Sequence, residues 1–519
     1  MFYKKFVKNW VGLTMLMKNF SITFIAITFV ISNCLMASEI ITKQSQIEIS
    51  DRKLDGLDEM VDKAMDLFSV PGVSVGIIID GEIVLTKGYG FADKAKGLKV
   101  NENTLFAIGS CTKAFTTHVL GQLVDEGKIS FNDPVIEYIP EFRLNDEYTT
   151  FHITIKDLVT HMSGLPRHDL LWYNEEFSRN DLLERLKYLD STTDLRGGFQ
   201  YNNLMYVVAG LVIERVTEMS WEEAVRTRIF TRVGMDNSNF SVLDSQKTDN
   251  YALPYTLKNN TLQSIPFHNI ECAGPAGSIN STVVDMAKWV QLQLCDGSFD
   301  GKEFLNSEML KAMHTPQAVF GRYPEGDLDC FGYGFGWLTA MYKGKYFVGH
   351  GGSIDGFVSF IGFLPKEKVG VIVLTNSSYS GGFAENLARA IFDRILGEGN
   401  DDWMIKLKEQ ETSLNDVIDK ENFPVMKETG HPLNDYVGKF YHPGYGFVEV
   451  GIEEEGLVVK YGTLSILLSH TCYDNFLGTW NFFQDKEYNC TFSRDSNGDI
   501  LEIFIPMEPS VDPIVFKKQ

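Results

Sequence analysis

Phe106-Ala107-Ile108-Gly109-Ser110-Cys111-Thr112-Lys113-Ala114-Phe115-Thr116 is the stretch on which the reading of this chain turns. Within it the hydrophobic period becomes helical. Phe115, Val119, Leu120, Leu123 and Val124 recur along one stripe and Gly127 ends the run, so an amphipathic helix is expected from Ser110 to Glu126. A spacing of three at a helix start places the Ser110 and Lys113 side chains on one face, with the hydroxyl near the positive end of the helix dipole. A serine alone is a poor nucleophile. A neighbouring amine accepts its proton when burial lowers the lysine pKa, and the small and apolar residues around Lys113 favour burial. The same S-x-x-K spacing recurs at Ser50 and Lys53, in a polar lead-in with nothing to depress an amine pKa, so context rather than spacing singles out the later pair.

Upstream, Val70 to Ala92 reads as a hairpin whose turn is Asp80-Gly81, a dipeptide that takes positive φ cheaply. Downstream, helix-rich sequence with long loops runs to about Val290. The strand signal returns near Tyr333 in YGFGWLT, KYFVGH, FVSFIGFLP and VGVIVLTN, an antiparallel meander, and a helix follows from about Phe383 to Leu396. Strands at both ends of a helical middle predict an α+β fold: an antiparallel sheet flanked by helices, with a helical subdomain. The charged stretch from Gly397 to Leu433 reads as a linker with a helix of its own. Beyond it, short strands such as FVEVGI and GLVVKYG predict a separate all-β barrel or sandwich, whose Phe and Tyr residues are expected to be its core. The expected division is residues 1–37 as a signal peptide, 51–398 as the catalytic domain, 399–432 as the linker and 433–519 as the barrel.

The signal peptide is read from Lys4, Lys5, Lys8 and Lys18 preceding the apolar run Phe20 to Ile31, with a small-residue cleavage position after Ala37. Export follows as an expectation, to the periplasm or medium, with retention by an N-terminal anchor as the alternative and no integral span once the signal is removed. The chain has 519 residues, with 47 Lys plus Arg against 69 Asp plus Glu, a net charge of −22. Such a surface repels phosphate backbones and anionic lipid, and no basic block offsets it, so nucleic acid is excluded as a partner. Of the cysteines beyond Cys34, only Cys472 and Cys490 are named as a pair, either bonded across strands or as two buried thiols. No CxxC or HExxH occurs, and His152, His161 and His168 are read as structural hydrogen-bonding groups rather than metal ligands. Gly72-Val73-Ser74-Val75-Gly76 matches G-x-S-x-G but lies inside a predicted strand, not at a strand-to-helix turn, which argues against Ser74 as a nucleophile.

Two further patterns follow Ser110 in order: Tyr201-Asn202-Asn203 in GGFQYNNLMY and His350-Gly351-Gly352 in FVGHGGSIDGF. Each has a chance twin in the C-terminal segment, Tyr473-Asp474-Asn475 and His442-Pro443-Gly444. Taken together with LVTHMSGLPR, ECAGPAGSINSTVVDMAKWVQ and YGFGW, the three ordered motifs resemble the serine hydrolases of the penicillin-binding-protein and class C β-lactamase superfamily (peptidase S12 type), over roughly Leu57 to Leu396. The C-terminal piece looks like the lipocalin-type barrel of some D-amino-acid-specific members.

The resemblance implies acyl transfer without metal or organic cofactor on a small-molecule or peptide substrate. Ser110 would be the nucleophile, Lys113 and Tyr201 would share its proton, and Asn203 would orient Lys113 and the substrate amide. The backbone N–H groups of Ser110 and Ser353, beside Gly351 and Gly352, would form the oxyanion hole. One departure bears on the substrate. Where the family carries Lys-Thr-Gly or a close variant, this chain has His350, mostly neutral at pH 7, and Gly351, so capture of a substrate carboxylate there should be weak. Peptidase, amidase or esterase action is expected ahead of penicillin hydrolysis. The alternative is a catalytically weak binding or scaffold protein that keeps the fold. The oligomeric state is left open.

Overall fold

The computed structural model describes residues 54–519 apart from 174–176, 259–260, 326–327, 379–381, 399–430, 454–455 and 481–486. The expected signal peptide, Ser50 with Lys53, and residues 399–430 of the expected linker lie outside the described residues.

Helix α1 (Leu57–Phe68) leads into the hairpin of β1 (Gly72–Ile79) and β2 (Glu82–Asp93), and β3 (Leu98–Lys99) pairs with β2. Asp80 and Gly81 both take positive φ, 55° and 81°, as a two-residue turn demands. The second group of strands is β4 (Ala318–Glu325), β5 (Leu328–Tyr333), β6 (Leu338–Tyr342), β7 (Lys345–Ile354), β8 (Phe357–Leu364) and β9 (Val369–Thr375). They continue into one antiparallel sheet of order β4-β5-β6-β7-β8-β9-β1-β2-β3. Both ends of the domain thus build the same sheet. β1 is buried along its whole length between β2 and β9, which is why it reads as a continuous apolar run; Ser74 is sealed within it and offers no accessible nucleophile.

The meander begins two strands earlier than the sequence suggests. YGFGWLT is a corner between β5 and β6, where Gly336 (φ 78°) leaves no room for a side chain: a Cβ there would lie 2.6 Å from Thr117 Oγ1. That corner leans on α2 (Lys113–Asp125), and here the expected amphipathic helix needs correction. Every residue from Lys113 to Leu123 is buried, so α2 is a central helix with no solvent face. Three of its polar residues are absorbed by carbonyl acceptors: Thr116 Oγ1 donates to Pro275 O (2.7 Å), Thr117 Oγ1 to Phe335 O (2.9 Å) and Gln122 Nε2 to Phe304 O (3.0 Å). Polar residues off the apolar stripe signalled water, but buried carbonyls took its place. Around α2 pack α3 (Asn203–Thr217) and a turn of helix at Gly274–Gly277, while α4 (Val283–Leu294) lies on β1, β2 and β9. Helix α5 (Phe383–Leu396) follows the sheet.

The C-terminal segment is a closed antiparallel barrel of eight strands: β10 (Gly438–His442), β11 (Gly446–Glu453), β12 (Gly456–Tyr461), β13 (Leu464–Cys472), β14 (Asn475–Trp480), β15 (Glu487–Arg494), β16 (Ile500–Ile505) and β17 (Ile514–Lys518). β17 closes on β10 through Phe440↔Lys518 and Tyr441↔Lys517. Phe440, Val448, Tyr461, Trp480, Phe492 and Phe516 are buried and join the continuous apolar core. Cys472 and Cys490 are not joined by a disulfide. β14 separates their strands, and two spacings of about 4.8 Å exceed the ~7 Å that a disulfide spans between Cα atoms. Among the described residues no helix is long and apolar enough to cross a membrane.

Candidate active site

Ser110 lies in a 3₁₀ turn (Gly109–Thr112) that runs directly into α2, so the hydroxyl projects at the head of the helix while Lys113 starts its first turn. Ser110 is partly exposed; Lys113 has no exposed surface. Its Nζ lies 3.0 Å from Ser110 Oγ, 2.8 Å from Asn203 Oδ1 and 2.8 Å from Ala276 O. The last two atoms only accept. A neutral amine has two N–H bonds and one lone pair, so donation to both carbonyl oxygens turns the lone pair toward the serine proton. Burial drives the Lys113 pKa well below 10.5, and the Arg167 guanidinium pushes it the same way.

Tyr201 and Asn203 come from the start of α3. Asn202 caps that helix, its Oδ1 accepting from Met205 N (2.9 Å) while its Nδ2 donates to Leu165 O and Pro166 O. This ties α3 to the loop after Leu165. Asn203 bridges Lys113 and Asp169, accepting from the amine and donating through Nδ2 to Asp169 Oδ1 (2.9 Å). The Tyr201 ring centroid is 4.9 Å from Lys113 Nζ and 5.0 Å from the Arg167 guanidinium. Burial raises the Tyr201 pKa; the Ser110 hydroxyl and Arg167 oppose that rise.

The third motif is on β7. Gly352 and Gly109 meet where this strand crosses the Gly109–Thr112 turn: a Cβ on Gly352 would lie 2.0 Å from Ile108 O, and one on Gly109 would lie 2.8 Å from Ser353 N. The crossing brings the Ser353 backbone against the Gly109–Ser110 turn. Ser359 Oγ, donating to Ile108 O at 2.7 Å, and Cys111 Sγ, 3.3 Å from His350 O and from Ser359 Oγ, fasten it from below. His350 is 7% exposed and burial lowers its pKa to about 4. Its Nδ1 faces Gly351 O at 2.6 Å, which can only accept, so Nδ1 carries the proton and Nε2 accepts from Tyr333 OH at 2.9 Å. The ring is neutral and both nitrogens are engaged within the protein.

The structure therefore brings Ser110, Lys113, Tyr201, Asn203, His350, Gly351, Gly352 and Ser353 to one place. Tyr473, with Asp474 and Asn475, and His442 lie in the barrel. Cavities of about 390 and 210 Å³ open on either side of Ser110, and one of about 670 Å³, lined by Phe199, Val319, Phe320 and Leu338, opens beyond Tyr201 and His350. Sequence reasoning missed Arg167 and Asp169. Both line the smallest cavity, and Arg167 Nε donates to Asp169 Oδ2 at 2.5 Å. LVTHMSGLPR was legible as a segment, but nothing in its spacing marks the charged pair as facing the serine. Among the three early histidines, His161 Nδ1 accepts from Asn202 N (3.0 Å) and His152 Nδ1 contacts Tyr148 O (2.7 Å), while His168 is bonded at three atoms; among the described residues no His, Cys, Asp and Glu grouping suits a metal ion.

Comparison with known proteins agrees with this geometry. The family described as Beta-lactamase matches residues 57–395, and a domain of unknown function (DUF3471) matches 424–518. The chain is 29% identical over 435 residues to "Unguisins hydrolase ungD'" of Aspergillus campestris, covering 79% of this chain and 80% of that protein. It is also 29% identical over 338 residues to "Protein flp" of Staphylococcus aureus, covering 64% of this chain and 65% of that protein. The octameric penicillin-binding protein homologue from Pyrococcus abyssi shares the fold at a TM-score of 0.59 and 23% identity, over 89% of this chain and 100% of that one. With serine, lysine, tyrosine and third-motif strand in one cleft and the family match spanning the whole α+β domain, this chain belongs to the Beta-lactamase family.

Proposed function

We propose that the chain is a serine hydrolase that works through an acyl-enzyme on Ser110, cleaving amide, peptide or ester bonds. The observation that carries this reading is the buried Lys113 amine, aimed at Ser110 Oγ from 3.0 Å with its other hydrogen bonds made to Asn203 Oδ1 and Ala276 O. Ser110 Oγ attacks the carbonyl carbon as its proton passes to Lys113. The oxyanion is held by the N–H groups of Ser110 and Ser353, each worth roughly 3 kcal/mol in comparable sites. The proton then goes, with Tyr201 as relay, to the leaving amine or alkoxide. Water, deprotonated by the Lys113–Tyr201 pair, attacks the ester, and collapse of the second tetrahedral intermediate returns the proton to Ser110. Asn203 keeps Lys113 in line.

The hydrolase name of the Aspergillus relatives supports this class, and the 670 Å³ aromatic-lined cavity favours a substrate with a bulky apolar group. His350, neutral and with both nitrogens engaged, disfavours efficient penicillin hydrolysis. Turnover of p-nitrophenyl acetate and of D- and L-aminoacyl amides is the test. Loss of activity in Ser110→Ala and Lys113→Ala, with wild-type circular dichroism, is expected; activity that survives either substitution refutes the reading. Absence of turnover across the panel would favour the scaffold alternative. Export remains part of the proposal: a secreted product beginning at Ser38 supports a signal peptide over 1–37, and a product retaining Met1 opposes it.

A further inference from the structure

We propose that Arg167 is the anion-binding residue of this site and that the substrate carries a carboxylate near its scissile bond. The inference rests on the hydrolase reading and deepens it. Third-motif chemistry cannot supply a cation here, because His350 is neutral and occupied on both nitrogens. Yet the clefts of about 390 and 210 Å³ that flank Ser110 share one wall residue with a fixed charge. Arg167 lines both, and among the described residues lining them it is the only Lys or Arg.

Its side chain is 51% exposed, although the residues that position it are deeply set. Nε donates to Asp169 Oδ2, and the other oxygen of that carboxylate is fixed by Trp172 Nε1 (2.7 Å) and Asn203 Nδ2 (2.9 Å). The guanidinium carbon rests 5.0 Å from the Tyr201 ring centroid. Between Arg167 and Asp169, the buried His168 adopts φ 46° and is held at three atoms: its N–H donates to Glu508 Oε2 (2.8 Å), Nδ1 meets Tyr445 OH (2.8 Å) and Nε2 meets Asp190 O (3.1 Å). Glu508 and Tyr445 belong to the barrel segment, so the barrel holds the residue that follows Arg167.

Asp169 engages the Nε edge alone. The four N–H groups on Nη1 and Nη2 donate to none of the described residues and form the planar fork that matches a carboxylate through two parallel hydrogen bonds. In a chain of net charge −22 no long-range field draws an anion in, so selection for one must be made by such a local fork.

Matched substrate pairs test this. One pair places the carboxylate on the acyl group (4-nitrophenyl hydrogen glutarate and its methyl ester). The other places it on the leaving group (3-carboxyphenyl acetate and its methyl ester). The readout is the ratio of kcat/KM for acid over ester in wild type, Arg167→Gln and Arg167→Lys. Any effect of Arg167 on Lys113 acts on both members and cancels in the ratio. The expected result is a 10- to 100-fold collapse of the ratio in Arg167→Gln for one pair, carried by KM and partly restored in Arg167→Lys; the responding pair locates the carboxylate. Ratios unchanged in both pairs overturn the proposal while leaving the hydrolase reading intact. Absence of Ser110-dependent turnover of the neutral esters in wild type overturns both.

Discussion

Gly351→Ala and Gly352→Ala are adjacent, chemically identical substitutions for which the structure predicts opposite outcomes. Gly352 faces the turn that carries Ser110, and an added Cβ would lie 2.0 Å from Ile108 O and 2.5 Å from Ser359 Oγ. Going from 2.0 Å to the 3.4 Å of an ordinary contact requires a shift of about 1.4 Å between β7 and the turn that carries Ser110. Ser359 can rotate; the Ile108 carbonyl cannot, because it belongs to the backbone leading into Ser110. The displaced elements carry the Ser110 and Ser353 N–H groups, and misplacement of about 1 Å at a reacting centre costs roughly 100-fold in rate, with overpacking adding about 1–3 kcal/mol of lost stability. Gly351 points the other way: its Cβ would meet only Ser359 O at 3.8 Å. Neither glycine has positive φ, so backbone strain does not enter the comparison. The assay is kcat for p-nitrophenyl acetate alongside thermal melting. The account expects kcat to fall about 100-fold or more in Gly352→Ala and to stay within about 3-fold of wild type in Gly351→Ala. Near wild-type kcat in Gly352→Ala would refute the claim that the Gly109–Gly352 crossing sets the oxyanion hole.

In the proposed mechanism Lys113 acts as base only when neutral, so kcat/KM should rise with pH through a lysine pKa well below 10.5; Arg167→Gln removes a repelling charge, raises that pKa and moves the acid limb to higher pH, and a downward shift in the pH–rate profile would contradict this. His118 and His314 are buried, with burial lowering both to about 3, so the unfolded chain takes up protons below about pH 6.5 that the folded chain refuses. Stability should therefore fall from pH 6.5 toward 3 by up to about 1.4 kcal/mol per pH unit for each histidine, and His118→Leu should flatten the slope of urea midpoints against pH; an unchanged slope refutes the assignment. Glu508→Ala leaves the buried His168 N–H without its acceptor, which should cost about 1–3 kcal/mol and lower ester turnover because Arg167 and Asp169 flank His168; unaltered melting and kcat would show that the barrel does not brace the site.

The fold class was legible because its signals are local. Asp80-Gly81 named the hairpin, short apolar runs between turn residues marked the last meander strands, and the short strands after Leu433 marked the barrel. The start of the meander was not legible, since YGFGW carries strand-like residues through a corner that exists only because Gly336 packs on α2. The burial of α2 was hidden for a related reason: Thr116, Thr117 and Gln122 look solvent-facing until the carbonyls of Pro275, Phe335 and Phe304 are brought to them. In the site, Ser110 and Lys113 were found by spacing and context, and Tyr201, Asn203 and the glycines of the third motif through the family resemblance that the ordered motifs carry. Arg167 and Asp169 were not, because their partners Tyr201 and Asn203 lie more than thirty residues away, and a two-residue gap between opposite charges carries no chemical signal of its own.

Intact-mass spectrometry after incubation with a fluorophosphonate tests the central claim most directly. One adduct is expected on the wild-type chain, mapping by peptide analysis to Ser110 and absent from Ser110→Ala. An unlabelled wild-type chain, or an adduct that persists in Ser110→Ala, would contradict the account.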